Sequence, residues 1–366
     1  MTAVGTDNIP ASKSSYLPAE LFARFEVIRF PLIIAVIYIH NYPSLQAIPN
    51  RTSGSASALT YVINMISYGV AGIAVPLFFF ISGFLYFKDG PLTSSSHARK
   101  VRSRLTTLVV PFLFWNVAVL CLYLVGRYIP QTAPFFRDEA ATTSLIEFVK
   151  ALFGIGRDPI AYQFWFIRNL MILVLCAPLI NIAIRIAGLV FLAGIALIWV
   201  FTTSWPARPT AESLLFFSTG AYLAFNRINP FKLDRFALIL VIASIMLFAL
   251  SAALRPLEIG FLVGKTGIVL GLPAALGLSG VLLTSRSSQA LTTLAAASFF
   301  VFALHEPLLT VFRKVLLKVL PLTTDAVAAI YFLLPLAIAA LSVAAFFLLK
   351  AVAPKFTGAI TGGRAA

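Results

Sequence analysis

Apolar residues fill the chain in runs of roughly twenty, separated by short polar stretches. The run "FEVIRFPLIIAVIYIHNY" at 25–42 is typical of the series. A helix rises about 1.5 Å per residue, so roughly 20 apolar residues cross the hydrocarbon of a bilayer. By that measure the pattern predicts about ten spans, near 27–46, 62–87, 105–127, 163–182, 187–204, 211–226, 236–254, 261–284, 296–316 and 325–350. It contains no repeat of fixed period and no second domain. The longest polar connection, 128–160, mixes charges and has room for a short amphipathic helix. Residues 1–23 are polar, contain Pro and Ser and lack the apolar core of a signal peptide, which predicts a cytoplasmic tail. Residues 353–366 predict a second short tail. The expected fold class is all-α, a polytopic membrane helical bundle with one transmembrane domain at 24–352.

Composition sharpens that picture. The chain is 60% hydrophobic and 11% charged, with 33 phenylalanines. Soluble domains carry about 25% charged residues. In a soluble protein a net charge of +15 would suggest nucleic acid. Here the cations are scattered between apolar runs, as loop anchors and contacts to membrane lipids, so no nucleic-acid partner is expected. Cys121 and Cys176 lie inside apolar runs and read as small core residues, not as a disulfide or a metal site.

An even number of spans puts both termini on one side. The positive-inside rule favours the cytoplasm, because "HARKVRSR" (97–104) and "NRINPFKLDR" (226–235) then face it. Arg313, Lys314 and Lys318 fall on the other side against the rule; they line a pore mouth or mark a misplaced span.

Charge within the bilayer costs about 2.5–3.5 kcal/mol per residue on insertion scales, so each intramembrane ionisable residue is a functional candidate. Glu26 and Arg29 are spaced i, i+3 and share a helix face. His40 lies eleven residues beyond Arg29, close to three turns and about 16 Å along the axis. One face of the first span therefore carries a cation near the inner surface and an imidazole deep in the membrane. The plainer alternative is a topology-setting arginine and a histidine satisfied by a neighbouring helix.

Three further stretches carry paired readings. In "SFFVFALHEPLL" (298–309), Pro307 removes a backbone donor and frees the carbonyl of Ala303. His305 and Glu306 there either line a cavity beside a broken helix or sit at a kink near the interface. In "QFWFIRNLMILVLCAPLI" (163–180), Trp165 fits an interfacial belt. Arg168 is either a snorkelling anchor or a contact to an anionic phosphate or carboxylate. Arg99, Lys100, Arg102 and Arg104 are either plain topology signals or a site for a polyphosphorylated cytosolic ligand, since arginine forks suit phosphate. The glycine of "FFFISGFLYF", Gly83, permits close helix packing. No HExxH, P-loop, dinucleotide fingerprint or CxxC pair occurs, and three histidines without a carboxylate cluster make metal catalysis unexpected.

Taken in order, "RFEVIRF…H", "VPLFFFISGFLYF", "RSRLTTLVVPFLFWN", "FWFIRNL" and "FFVFALHEPLL" resemble the acyltransferase-3 family of integral membrane acyltransferases. Two positions depart from its pattern: Glu26 stands where aspartate is frequent, and Thr107 where a second arginine often follows the one matching Arg104. The resemblance implies transfer of an acyl group, acetyl or succinyl, from cytosolic acyl-CoA to a sugar hydroxyl. The acceptor is a polysaccharide or lipid-linked oligosaccharide, and the setting the cytoplasmic membrane of a bacterium. It implies His40 as general base or transient acyl carrier and Arg29, oriented by Glu26, in the catalytic group. Arg99, Arg102 and Arg104 would hold the CoA phosphates, and Trp165, Arg168, His305 and Glu306 the acceptor or its path. The rival class is a transporter or flippase, which also shows buried charges and proline-broken helices but would not need CoA. A membrane scaffold would leave the buried ionisable residues unexplained.

Overall fold

The structure, a computed structural model, describes residues 18–48, 54–129, 144–202, 208–255 and 257–363; among them no strand occurs. The helices are α1 (Pro18–Val27), α2 (Arg29–His40), α3 (Gly54–Asn64), α4 (Ala74–Tyr86), α5 (Ser94–Arg104), α6 (Val110–Tyr128), α7 (Leu145–Phe153) and α8 (Trp165–Leu175). They continue as α9 (Ala177–Phe201), α10 (Ala211–Phe225), α11 (Ala237–Ala253), α12 (Glu258–Thr284), α13 (Ser288–Ala295), α14 (Ser298–Val319), α15 (Thr324–Val352) and α16 (Pro354–Ile360). A π-helical turn, Met65–Val70, and a short 3-10 turn connect α3 to α4; a second π-turn, Leu105–Val109, connects α5 to α6.

Six continuous helical stretches among the described residues are long and apolar enough to cross a membrane, which makes this a multi-pass membrane protein. They are Gly54–Tyr86, Ser94–Tyr128, Ala177–Phe201, Asp234–Ala253, Glu258–Thr284 and Thr324–Val352. The pair α13 and α14, bent by 68°, makes a seventh if counted as one span. The sequence pattern suggests about ten, and the difference lies in particular helices. α2, α8 and α10 have 12, 11 and 15 residues, fewer than the ~20 that a full crossing takes.

Proline explains two of these boundaries. Pro43 restrains the residue before it, and the first span gives way after His40 to a 3-10 turn, Tyr42–Ala47, instead of running on to 46. Pro178, without an N–H, suits the first turn of a helix; α8 accordingly stops at Leu175 and α9 begins at Ala177. α9 then kinks at Gly188, whose φ of 45° favours glycine. Within the polar connection 128–160, α7 is the short amphipathic helix, capped by Ser144 at its start and left-handed Gly154 at its end. Residues 1–17 lie outside the described residues, but α1 begins at Pro18, inside the stretch read as a tail. The second predicted tail carries α16, whose Ile360 carbonyl accepts a 3.0 Å bond from Trp115 Nε1.

Two contacts set the bundle. At the crossing of α4 and α10, a Cβ on Gly83 would lie 2.0 Å from the Phe217 carbonyl oxygen, and one on Gly220 2.0 Å from that of Phe80. The two backbones touch, as small residues allow between membrane helices. At the end of α1, buried Arg24 donates to Asp234 (2.6 and 3.0 Å), Ser279 Oγ (3.0 Å) and the Leu276 carbonyl (2.6 Å). Its guanidinium also lies 3.6 Å over the Phe231 ring. Every polar edge of a buried cation is thereby used, the condition for burying one.

A proline-freed carbonyl helps to join α2 to α15. Pro335 leaves the Tyr331 carbonyl without its helical donor, and Asn41 Nδ2 bonds it at 3.1 Å and that of Ile330 at 3.2 Å. Tyr38 takes the Phe332 carbonyl at 2.9 Å. The end of α2 is thus pinned to α15.

Candidate active site

One face of α2 organises the site. Arg29, Ile33, Val36 and His40 recur at steps of four, three and four residues and line a single cavity of about 280 Å³. Arg29 stands at one end with Arg104 and Tyr86, and His40 stands at the other with Gln163. The walls between are apolar, with Phe78 and Ile81 from α4, Phe166 and Leu170 from α8, and Phe302 from α14. Three of the lining elements, α2, α8 and the bent α13–α14 pair, are the short or broken ones. Such helices are tolerated at membrane depth where they face a cavity.

At the far end the side chains form a chain of hydrogen bonds. His40 Nδ1 lies 2.7 Å from the Tyr162 hydroxyl, which donates across 2.9 Å to Glu306 Oε1. A tyrosine has one proton to give, so with that proton on Glu306 its oxygen accepts from His40 Nδ1–H. The tautomer follows: Nε2 of His40 carries the free lone pair. Thr310 also donates to Glu306 Oε1 and accepts from Arg313 at 3.3 Å. Arg313 donates at 2.8 Å to the main-chain carbonyl of His40, one of the last acceptors of α2 with no helical partner.

The second imidazole is beside the first. The rings of His40 and His305 are 5.1 Å apart, and His305 is fully buried. His305 Nδ1 donates to the carbonyls of Phe302 (2.7 Å) and Val301 (3.2 Å), which leaves Nε2 an acceptor that no described residue bonds. Pro307 frees the carbonyl of Ala303, and Gln163 Nε2 occupies it at 2.9 Å. Gln163 is thereby held against the cavity wall.

At the cation end the mouth is braced. The Tyr86 hydroxyl lies 3.0 Å from His97 Nδ1, while Lys100 bonds the Tyr86 carbonyl (2.6 Å) and Asp89 (3.2 Å). Hydrogen bonding to Lys88, with Lys100 adding its charge, holds the Asp89 carboxyl below the usual carboxylate range. Of the basic cluster, Arg104 lines the cavity, whereas Arg99 and Arg102 lie on the exposed face of α5. Glu26 acts on Arg29 through its charge, without an ion pair inside 4.0 Å. Trp165 lines the cavity. Arg168 does not: its Nη1 donates to the carbonyls of Gly154 (2.8 Å) and Arg157 (2.9 Å), and Nη2 lies 3.5 Å from Asp158. It anchors the loop after α7.

Tyr162, Gln163, Thr310 and Arg313 are site residues that the sequence reading did not single out. Arg313, which the charge pattern reads as lining a pore mouth or marking a misplaced span, is buried against His40. Among the described residues no group of three His, Cys, Asp or Glu side chains is arranged to hold a metal ion.

The acyltransferase-3 family model, described as an acyltransferase domain, matches residues 22–350. Over 368 residues the chain is 25% identical to the succinoglycan biosynthesis protein ExoH of Rhizobium meliloti (strain 1021), covering 95% of this chain and 94% of that protein. No solved structure matches it.

Proposed function

The chain belongs to the acyltransferase-3 family, and on that footing we propose that it moves an acyl group from cytosolic acyl-CoA to a sugar hydroxyl of a cell-surface or lipid-linked polysaccharide. The setting is the cytoplasmic membrane of a bacterium. The observation that carries the reading is the single cavity with Arg29 and Arg104 at one end and His40 at the other. Phosphates need cations and a thioester arm needs a narrow apolar path, and the two occur in that order along α2.

In the proposed reaction His40 is the general base. Its Nε2 takes the proton of the sugar hydroxyl as that oxygen attacks the thioester carbonyl. The carbon–sulfur bond then breaks, and the imidazolium returns the proton to the leaving thiolate. Tyr162 holds the Nδ1–H, and the Glu306 carboxylate behind it balances the transient positive charge, the logic of a base oriented by a third group. Nε2 of His305 offers a second acceptor beside the base for the incoming hydroxyl. Arg29, with Glu26 behind it, and Arg104 neutralise the donor's phosphates. Arg99 and Arg102 add charge outside the mouth.

Acetyl is the proposed acyl group, because the cation nearest His40, Arg313, donates to the His40 carbonyl and to Thr310 and already has Glu306 as a counter-charge, with which a succinyl carboxylate would compete. The relative's part in succinoglycan biosynthesis supports succinyl as the second reading. The test is mass spectrometry of surface polysaccharide from the wild type, a deletion, and the deletion carrying His40→Ala. An acyl mass shift present in the wild type and lost in the other two is expected, and it identifies the group. Equal acylation in all three strains would favour a transporter instead.

A further inference from the structure

On the side of α2 away from the cavity, at the end that carries His40, α3 presents a polar stripe. Ser57, Thr60, Tyr61 and Asn64 fall at i, i+3, i+4 and i+7, one helical face. The α3 sequence is otherwise mostly apolar or small, so a polar face there needs a polar partner. Across from it the chain offers the two small residues Ala252 and Ala253, which open a groove of about 460 Å³, and Arg255. Tyr42 closes one end; it lies only two residues beyond His40, less than about 8 Å of chain.

The groove's groups are set up to receive a ligand. The Arg255 guanidinium lies 3.3 Å from the centre of the Tyr68 ring, a cation–π contact that holds it in place, and among the described residues no carboxylate pairs with it. A guanidinium held on an aromatic ring suits a carboxylate bidentately. Tyr42 donates to Asn64 Oδ1 at 3.4 Å, which turns the Asn64 amide into a donor on the wall. Tyr61, tethered through its hydroxyl to the Ala249 carbonyl at 3.1 Å, stays 37% exposed and offers an aromatic face. An aromatic ring, amide and hydroxyl groups and a guanidinium without a carboxylate partner among the described residues together match a sugar ring bearing an acid.

We infer that this groove seats the acceptor as an acidic saccharide segment, its carboxylate on Arg255 and a ring on Tyr61, at the end of α2 that carries His40. The inference rests on the polysaccharide-acceptor reading above, and it is tested by binding alone.

The probes are tetra-galacturonic acid and neutral cellotetraose, titrated calorimetrically into the full chain in phosphatidylcholine nanodiscs. The anionic tetramer is expected to bind at least tenfold more tightly than the neutral one. Arg255→Gln should abolish that preference, Tyr61→Ala should weaken both sugars, and Arg255→Lys should fall between. A cooperative thermal unfolding transition of each variant reports an intact fold. Equal binding of the two tetramers, no binding, or no effect of Arg255→Gln in a folded variant overturns the inference. It is also overturned if Arg255→Gln changes only the retention of phosphatidylglycerol in mixed-lipid discs, which would make the groove a lipid site. A parent that neither binds nor consumes acyl-CoA sinks the transferase reading, while the titration still decides the groove.

Discussion

The imidazole of His40 and the phenol of Tyr162 share one hydrogen bond, 2.7 Å long, between residues 122 positions apart in the chain. Because Tyr162 spends its proton on Glu306, that bond decides which nitrogen of His40 is basic. Tyr162→Phe keeps the ring and its packing but removes the oxygen. The expected result is a fall in kcat of roughly 10- to 100-fold with the KM for acyl-CoA unchanged, against roughly 10²- to 10⁴-fold for loss of the base itself in His40→Ala. Steady-state kinetics of purified protein in nanodiscs check both.

The cation end predicts a donor-specific defect. Arg104→Gln should raise the KM for acetyl-CoA by about tenfold, since a hydrogen bond to a charged group contributes about 1.5–3 kcal/mol. The same variant should leave the KM for acetyl-pantetheine, which has no phosphates, unchanged. Arg99→Gln, on the exposed face of α5, should move either value by less than about threefold, as exposed charges contribute little.

The α4–α10 crossing predicts a stability effect without a chemical one. The Cβ of Gly83→Ala would meet a backbone oxygen, which cannot rotate aside as a side chain can. A loss of about 1–3 kcal/mol, or more, is expected from overpacking, read as a lower unfolding midpoint in detergent. Gly220→Ala should behave alike. The double variant should cost less than the sum, because one separation of the helices relieves both clashes.

Asp234→Ala should be worse than an exposed carboxylate usually is. It leaves the buried guanidinium of Arg24 with only Glu20, 4.0 Å away, as counter-charge; breaking a fully buried pair costs about 3–5 kcal/mol, and because Asp234 is partly exposed a loss of about 1–3 kcal/mol is expected. Thermal denaturation followed by tryptophan fluorescence measures it.

Much of this arrangement can be read from local spacing. Eleven residues between Arg29 and His40 put both on one helix face, and both line one cavity. A proline at 307 releases the carbonyl of Ala303, and the structure supplies its new donor. That this donor is Gln163 is not a local fact, nor is the contact between Arg313 and His40, which are 273 residues apart. Each depends on how α14 settles against α2 and the turn before α8. The reading of Arg168 stayed open for the same reason: an arginine beginning an apolar helix looks the same whether it faces a cavity or a loop. The predicted stretches 27–46 and 163–182 run past the ends of α2 and α8, which stop short of Pro43 and Pro178, because hydropathy reports apolar length and not where a helix stops.

The separation of Arg29 from His40 along α2 has a consequence for what the proposed reaction would carry across the membrane. In the proposed reaction a donor held at the arginines and an acceptor deprotonated at the imidazole stay in separate compartments; an acyl group a few atoms long passes one way and the hydroxyl's proton the other. Such a protein needs neither a gate wide enough for CoA nor an ion gradient to drive it. The thioester that delivers the group also supplies the driving force, so export and chemistry are one event, and its rate should follow the cell's acyl-CoA level, not its membrane potential.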